Sequence, residues 1–454
     1  MSSPAFWRTT RDRLHRLLPQ SRFWRRMTAL AGATALGQAV MVAAMPLLTR
    51  LYTPADFGAS VVFIMLLALL NFAMGLRYEA AIPLCETDED AAAVTQLVMA
   101  IALLLGFALV LLLALADGAI ADLLNLADHV RLLWWLPLVF LLEGVFLAFH
   151  GWALYQGVIR ALALSRIAQW VTIAAAQVVL GFASDGNPHA LIIGYLMGQV
   201  AAVLVIVAHL SAEQRALFSA LHGRRMRALA HRFKRFPLYG SWAMLLNSAA
   251  VLLPPILASA VFGLAAGGHY GLAQRTVGIP VRFLGISAAQ VYTAEISRLG
   301  YHDRAEIARL FNDTVRRLFL IGAAYLVVLA IVGPWLFAIV FGEAWRESGV
   351  IARLLVPMYL ASFVYQPVQY TLQYFERQDL ILIVNGYSLM VVIGLFWAAN
   401  HGLLEMRTTI LAMSIGLTFS YLISFYLARQ LVLGRLPAGR PSMDAGSKGH
   451  GPQG

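Results

Sequence analysis

Apolar runs of about twenty residues, separated by short polar breaks, recur along almost the whole chain. Because about twenty apolar residues in a helix span the hydrocarbon core of a bilayer, the pattern predicts membrane helices near 27–48, 57–76, 91–115, 133–154, 165–183 and 189–209, and again near 239–262, 268–290, 318–337, 354–373, 380–399 and 408–428. One polar break is much longer than the others and has six runs on each side. The predicted fold is therefore an all-α integral membrane protein of about twelve transmembrane helices in two six-helix lobes. A basic segment (1–26) leads into an N-lobe (27–209), a basic linker (210–238), a C-lobe (239–428) and a tail (429–454) whose Gly, Pro and Ser content predicts disorder. The run after residue 26 is too long for a signal-peptide core and has no small-residue cleavage site, so it is expected to stay as the first helix.

Charge sets the expected orientation. Of the 34 Lys and Arg, 27 fall in the terminal and even-numbered connecting segments and five in the opposite loops. Positive residues mark the cytoplasmic side, which predicts that both termini are cytoplasmic and that the protein spans a bacterial inner membrane many times. The chain is 60% hydrophobic and 13% charged, with a mean hydropathy of +0.73, half the charge of an average soluble domain. The basic excess does not indicate nucleic acid, because it lies between apolar runs rather than on one solvated face. Beside a membrane it suits anionic lipid headgroups. A single cysteine, Cys85, excludes an internal disulfide and a Cys-based zinc site. P-loop, HExxH and GxSxG patterns are all missing, and the predicted outward loops are short. No catalytic residue, metal or cofactor is expected.

Charges inside membrane helices are costly, about 2.5–3.5 kcal/mol each on insertion scales, and normally face protein or a watery cavity. Arg275 and Arg282 are seven residues apart on one predicted helix and share a face, which suggests a cationic stripe in a lumen; pairing with a carboxylate such as Glu143 is the plainer reading. Glu143 sits mid-span, where a carboxylate either carries a proton or sodium ion or partners an arginine. Arg50 lies at one span end and Arg77 and Glu79 at another, as interfacial anchors or a gating latch. The amides Gln38, Asn71, Gln177, Gln199, Asn247, Gln274, Gln290, Gln369 and Asn385 either hold helices together or line a wet interior. A short internal repeat accompanies the halves: Pro46 is followed by Asp56-Phe57-Gly58, and Pro254-Pro255 by His269-Tyr270-Gly271.

Two stretches carry a resemblance. The first is Pro46-Leu47-Leu48-Thr49-Arg50-Leu51-Tyr52-Thr53-Pro54-Ala55-Asp56-Phe57-Gly58, continued by Arg77-Tyr78-Glu79-Ala80-Ala81-Ile82. The second begins Phe236-Pro237-Leu238-Tyr239, holds Asn247 and Pro254-Pro255, and runs through Tyr270-Gly271-Leu272-Ala273-Gln274-Arg275, Pro280 and Gln290-Val291 to Glu295. Both resemble the Wzx-type polysaccharide-repeat-unit flippases of the multidrug/oligosaccharidyl-lipid/polysaccharide exporter superfamily. The resemblance implies two lobes meeting in a V, alternating access, and an undecaprenyl-pyrophosphate oligosaccharide destined for lipopolysaccharide or other polysaccharide. Arg275 corresponds to the family's Gln-Arg and Arg50 to its Thr-Arg; Gln274 and Asn247 fall within the same stretches, and Arg282 joins them by depth alone. With no nucleotide site, a proton or sodium gradient or removal of product would drive transport. A monomer is expected, with polysaccharide polymerase machinery as a neighbour. The competing readings are a drug or metabolite exporter of the same superfamily, a membrane polymerase or ligase of lipid-linked sugars, and a scaffold without transport.

Overall fold

A computed structural model of the protein describes residues 22–219, 223–299 and 304–437. Among them every regular element is helical. The principal helices are α1 (Arg22–Leu51), α2 (Pro54–Met74), α3 (Asp88–Leu123), α4 (Leu136–Tyr155), α5 (Ile159–Ala183), α6 (Pro188–Ala208), α7 (Ser241–Phe262), α8 (Leu264–Leu299), α9 (Arg304–Phe341), α10 (Val356–Val368), α11 (Gln378–Asn400) and α12 (Met406–Val432). Each of the twelve expected spans falls on one of these. Among the described residues, nine helices are long and apolar enough to cross a membrane, and a bent pair, Glu343–Leu354 with Val356–Tyr374 at 53°, makes a tenth. The protein is thus a multi-pass membrane protein; the expected seventh and eighth spans, on α7 and α8, lie partly outside the described residues. The sequence of α8 carries Gln274, Arg275, Arg282 and Gln290, a heavy polar load for a lipid-facing helix.

Local chemistry places the helix ends. Thr53 and Asp56 bond reciprocally at the start of α2, Thr53 N donating to Asp56 Oδ2 at 3.3 Å and Asp56 N to Thr53 Oγ1 at 3.2 Å. This is a capping box, with Pro54 at the first helical position, where its missing N–H costs nothing. Asn187 caps α6 through His189 N at 2.9 Å, ahead of Pro188. A single residue in the left-handed region, Gly263 (φ 93°), separates α7 from α8.

The chain divides into two compact units. One holds the residues through Tyr52, Leu70–Asp122 and Ala127–Met244; the other holds Thr53–Leu69, Leu123–Leu126 and the residues from Leu245 onward. In the first, α5 packs against α1 and α6, and α4 against α6. Small residues set these approaches: a Cβ on Gly198 would meet Ile173 at 2.2 Å, and one on Gly37 would meet Trp170 at 2.7 Å. The 210–238 segment, expected as a polar linker, instead forms two helices, Ala212–Ser219 and Gly223–Arg232. The second docks by burying Leu229, accepting a bond from Tyr78 Oη at Ala230 O (3.0 Å), and pairing Arg225 with Glu89 and Asp90 and Arg232 with Glu86. The expectations for residues 1–21 and for the tail beyond 437 lie outside the described residues.

In the second unit, α10 packs against α8, α9 and α12, and α11 against α12. Here the two halves of the short sequence repeat meet. A Cβ on Gly58 would stand 1.8 Å from Leu264 O, and one on Gly268 would stand 2.0 Å from Pro54 O. The backbones of α2 and α8 are therefore in direct contact, and only glycine permits it. Phe57 packs edge-on against fully buried Trp345 at 5.3 Å, and His269 Nδ1 lies 3.0 Å from Ser348 Oγ. Gly268→Val is expected to force the two helices apart and to destabilise the fold by about 1–3 kcal/mol. Gly394→Ala on α11, where an added Cβ meets nothing within 4 Å, should leave stability equal or slightly higher. Unfolding temperatures of the purified full chain in detergent compare the two.

Candidate functional site

The second unit encloses a cavity of about 460 Å³ among α7, α8, α10, α11 and α12. Of the described residues that line it, more than half carry a hydroxyl or amide and none carries a charge. The polar groups arrive as helical stripes: Ser362 and Gln366 on α10 with Gln369 at its C-cap, Asn385 and Ser388 on α11, and Ser420 and Ser424 on α12. Such three- and four-residue spacings keep side chains on one helix face. Part of the wall is tied together: Ser388 Oγ and Ser420 Oγ lie 2.6 Å apart, and just beyond the cavity Tyr292 Oη meets Thr371 Oγ1 at 2.7 Å.

Gln274 lines this cavity and has a structural task as well. Proline lacks the N–H that would bond four residues back, so Pro255 leaves the Val251 carbonyl without its helical donor. Gln274 Nε2 donates to that carbonyl at 3.2 Å, which repairs α7 from α8 and leaves the side-chain oxygen as the group that can face a ligand. Tyr359 Oη in turn reaches Gln274 O at 3.4 Å. The next residue, Arg275, is eleven positions into α8, about 16 Å along the axis, and half-buried. Its guanidinium lies 5.7 Å from the Phe57 ring centre, within reach of a cation–π attraction. Asn247 and Arg282 are on α7 and α8, but their side chains lie outside the described residues.

The other candidates belong to the first unit. Arg50 is exposed in the last turn of α1, where a cation favours the carbonyl end of the helix. Glu143 is joined to both α5 and α6. It accepts from Tyr195 Oη and, at 2.9 Å, from Gln199 Nε2. Gln199 Oε1 accepts from Gln169 Nε2 at 3.0 Å, and Gln169 Oε1 accepts from Arg166 Nη1 at 3.0 Å. The Arg166 guanidinium sits 4.6 Å from the Phe146 ring centre. Sequence reading counted Arg166 as a loop cation, but α5 starts at Ile159 and carries it inside. A carboxylate and a guanidinium are thus linked through two amides, a chain whose only sequence signal is the three-residue spacing of Arg166 and Gln169.

Arg77 and Glu79 lie in the turn after α2. Arg77 adopts the left-handed region (φ 64°), and its Nη1 stands 3.9 Å from Glu79 Oε1. Glu79 is mostly buried, with Oε2 among the buried atoms that lack a hydrogen-bond partner. Burial raises its carboxyl above the ordinary range, against the lowering effects of its own backbone hydrogen bond and of Arg77. No group of three or more metal-ligating side chains occurs among the described residues.

Residues 47–350 match the family described as polysaccharide biosynthesis protein. No curated protein matches the sequence. Among solved structures, a multidrug resistance MATE family transporter of the MOP superfamily in its inward-facing conformation is similar at a TM-score of 0.67 and 14% identity, covering 87% of this chain and 95% of that one. A MOP superfamily transporter from Pyrococcus furiosus is similar at 0.53 and 16%, covering 90% and 96%. A variant of a Vibrio cholerae MATE transporter is similar at 0.55 and 15%, covering 91% and 96%. At such identities the likeness is one of fold.

The buried carboxyl of Glu79 generates a pH-dependent prediction. Its raised folded-state pKa means that its contribution to stability is full below the pKa of an unfolded glutamate and is lost as pH rises through the folded value. Glu79→Gln should therefore raise the unfolding temperature relative to the parent at pH 8, with the gain shrinking toward pH 4. An equal gain at both pH values would show that the carboxyl's charge is not what burial opposes.

Proposed function

The chain belongs to the polysaccharide biosynthesis protein family, and on that footing we propose that it flips an undecaprenyl-pyrophosphate-linked oligosaccharide from the cytoplasmic to the outer leaflet of a bacterial inner membrane by alternating access. The observation that carries this reading is the pairing on α8: Arg275 presents a guanidinium deep in the helix, and the adjacent Gln274 faces a cavity of hydroxyls and amides. A lipid-linked sugar needs both chemistries. A pyrophosphate must exchange its hydration for charge-assisted hydrogen bonds, which guanidinium supplies with bidentate geometry. Sugar hydroxyls must exchange theirs for groups that both donate and accept. A cationic drug would need a carboxylate, and none of the described residues lining this cavity carries one.

Transport of this kind breaks no covalent bond, so no catalytic group is required. A proton or sodium gradient supplies the drive, and Glu143 is the group we assign to the coupled ion. Its link to Tyr195 and Gln199 ties any change of charge on α4 to the position of α6. The proposed carrier is a monomer. Arg50, Asn247 and Arg282 extend the assignment as further contacts to the pyrophosphate or the lumen, with membrane lipids and a polysaccharide polymerase as neighbours.

Leaflet exchange of a fluorescent undecaprenyl-pyrophosphate oligosaccharide in proteoliposomes tests the reading. Arg275→Ala should lower the rate at least a hundredfold with normal insertion, and a parental rate in that variant would remove Arg275 from the site. Glu143→Gln keeps a side chain able to bond Tyr195 and Gln199. It should abolish acceleration by an imposed gradient while leaving slow downhill exchange; an unchanged response to the gradient would reduce Glu143 to a structural partner in the chain that leads to Arg166.

A further inference from the structure

We propose that Arg166, acting through Gln169 and Gln199, makes Glu143 a proton site rather than a sodium site. The inference deepens the coupling role given to Glu143 above and rests on it. What carries it is the order of donors and acceptors along the chain that joins α5, α6 and α4. Arg166 Nη1 donates to Gln169 Oε1 at 3.0 Å, Gln169 Nε2 to Gln199 Oε1 at 3.0 Å, and Gln199 Nε2 to Glu143 Oε1 at 2.9 Å. Chemistry permits only this sense. A guanidinium has donors and no acceptor, so Gln169 must turn its oxygen to Arg166 and its nitrogen onward. Gln199 must then do the same, and a nitrogen is all it can present to the carboxylate. Both amides are buried, and a reversed amide there would set two donors or two acceptors against each other with both left unsatisfied.

This fixed sense decides what Glu143 can take up. Tyr195 Oη donates to the same oxygen as Gln199, so Oε1 is held by two donors while Oε2 makes no hydrogen bond to any of the described residues. A proton needs one lone pair, and Oε2 has it. A hard cation such as sodium needs several oxygen lone pairs around it, and the amide beside Glu143 offers N–H instead. To give a sodium ion its oxygen, Gln199 would have to break with Gln169, and Gln169 with Arg166, stranding a guanidinium inside the protein at a large cost. The positive charge of Arg166, set 4.6 Å from the Phe146 ring centre, also favours the ionised carboxyl, so a proton taken up at Oε2 can be given back. Arg166 is thus a positioning residue, acting on the ion through two amides.

The other titratable groups on the elements packed against α4 stand apart from this chain. His150, two turns along α4 itself, has its ring 5.8 Å from that of Phe146. From α6 the group is Tyr195. Helix α3 meets α4 where a Cβ on Gly144 would touch Ala102 at 2.4 Å; its nearest carboxylates in sequence, Asp90 and Asp117, are at least twelve residues from Ala102, about 18 Å along the helix. From the turn after α2, which also holds Arg77, Glu79 O faces Gly151, eight residues or about 12 Å along α4 from Glu143.

The purified full chain in detergent tests this without transport. Infrared difference spectroscopy follows the protonated carboxyl of Glu143, identified as the band that Glu143→Gln loses. In the parent the band should titrate with pH and stay unchanged when sodium chloride replaces choline chloride. Arg166→Met should raise the midpoint by at least one pH unit, a tenfold gain in proton affinity, and Arg166→Lys should recover part of the shift. Gln169→Leu should reproduce most of it, and the double variant should add little, because both substitutions cut one chain. Gln169→Leu should also gain a loss of the band on adding sodium, a response that misfolding cannot imitate. Sodium removing the band in the parent, or two shifts that add independently, overturns the relay. If the expected results hold in a chain that flips no lipid-linked sugar, the relay stands and the transport reading falls; gradient-driven flipping with unmoved midpoints removes the relay and leaves that reading.

Discussion

Hydrocarbon offers no partner to a backbone carbonyl, so any helix interrupted inside a membrane must be repaired by protein. The chain meets this constraint most visibly at Pro254-Pro255. A proline pair halfway along α7 removes two donors at one level, and the Val251 carbonyl is recovered by Gln274 from the neighbouring helix. That repair orients Gln274 and holds α7 and α8 at a fixed separation along one wall of the cavity. The same wall is bounded on its other side by the contact of Gly58 and Gly268, which lets α2 lie against α8 with no side chain between them. The position of Arg275 follows from both: α8 is registered by its amide on one flank and by its glycines on the other, and the guanidinium projects toward the ring that α2 supplies.

The two units divide polar chemistry between them. In the first, a carboxylate and a guanidinium are buried and joined through Gln169 and Gln199. Breaking such a network by removing one charged member costs about 3–5 kcal/mol, whereas keeping it contributes little net stability. Selection for stability alone would favour apolar residues there, which makes the network better suited to a role that uses its charge. In the second unit the described residues of the cavity wall carry hydroxyls and amides and no charge.

The sequence was most legible where length decided the outcome. Nine expected runs, and a tenth on a bent pair, fall on helices long and apolar enough to cross a membrane among the described residues, because a run of twenty apolar residues has few alternatives to a helix in lipid. It was least legible where charge outweighed periodicity. The stretch Gly223–Arg232 reads as a basic linker by composition, yet Met226, Leu229 and Ala230 recur at helical spacing and dock it. Arg166 was assigned to a loop because counting positive charges favours the nearest polar break, while the helix begins seven residues earlier. Single amides gave an ambiguous signal for the same reason: Gln177 binds helices together and Gln369 lines a cavity, and nothing local distinguishes them. The distinction lay in the stripes. Ser362, Gln366 and Gln369 recur at four and three residues, and Asn385 and Ser388 at three; a row of polar groups on one face of a membrane helix requires a polar neighbour along its whole length.

The short repeat noted in the sequence also gains a physical meaning. Asp56-Phe57-Gly58 and His269-Tyr270-Gly271 lie in corresponding places in the two halves, and in the structure they face each other across the α2–α8 contact. Glycines at this contact accept the other helix's backbone, Gly58 receiving Leu264 O and Gly268, just before His269, receiving Pro54 O, while Gly271 lies against the Val61 side chain. The aromatic residues differ in use. Phe57 reaches outward to Trp345 and Arg275, whereas Tyr270 is fully buried and turned into the cavity wall. A shared backbone requirement can therefore be retained in both halves while the side chains beside it diverge, one toward holding a cation and the other toward lining a cavity.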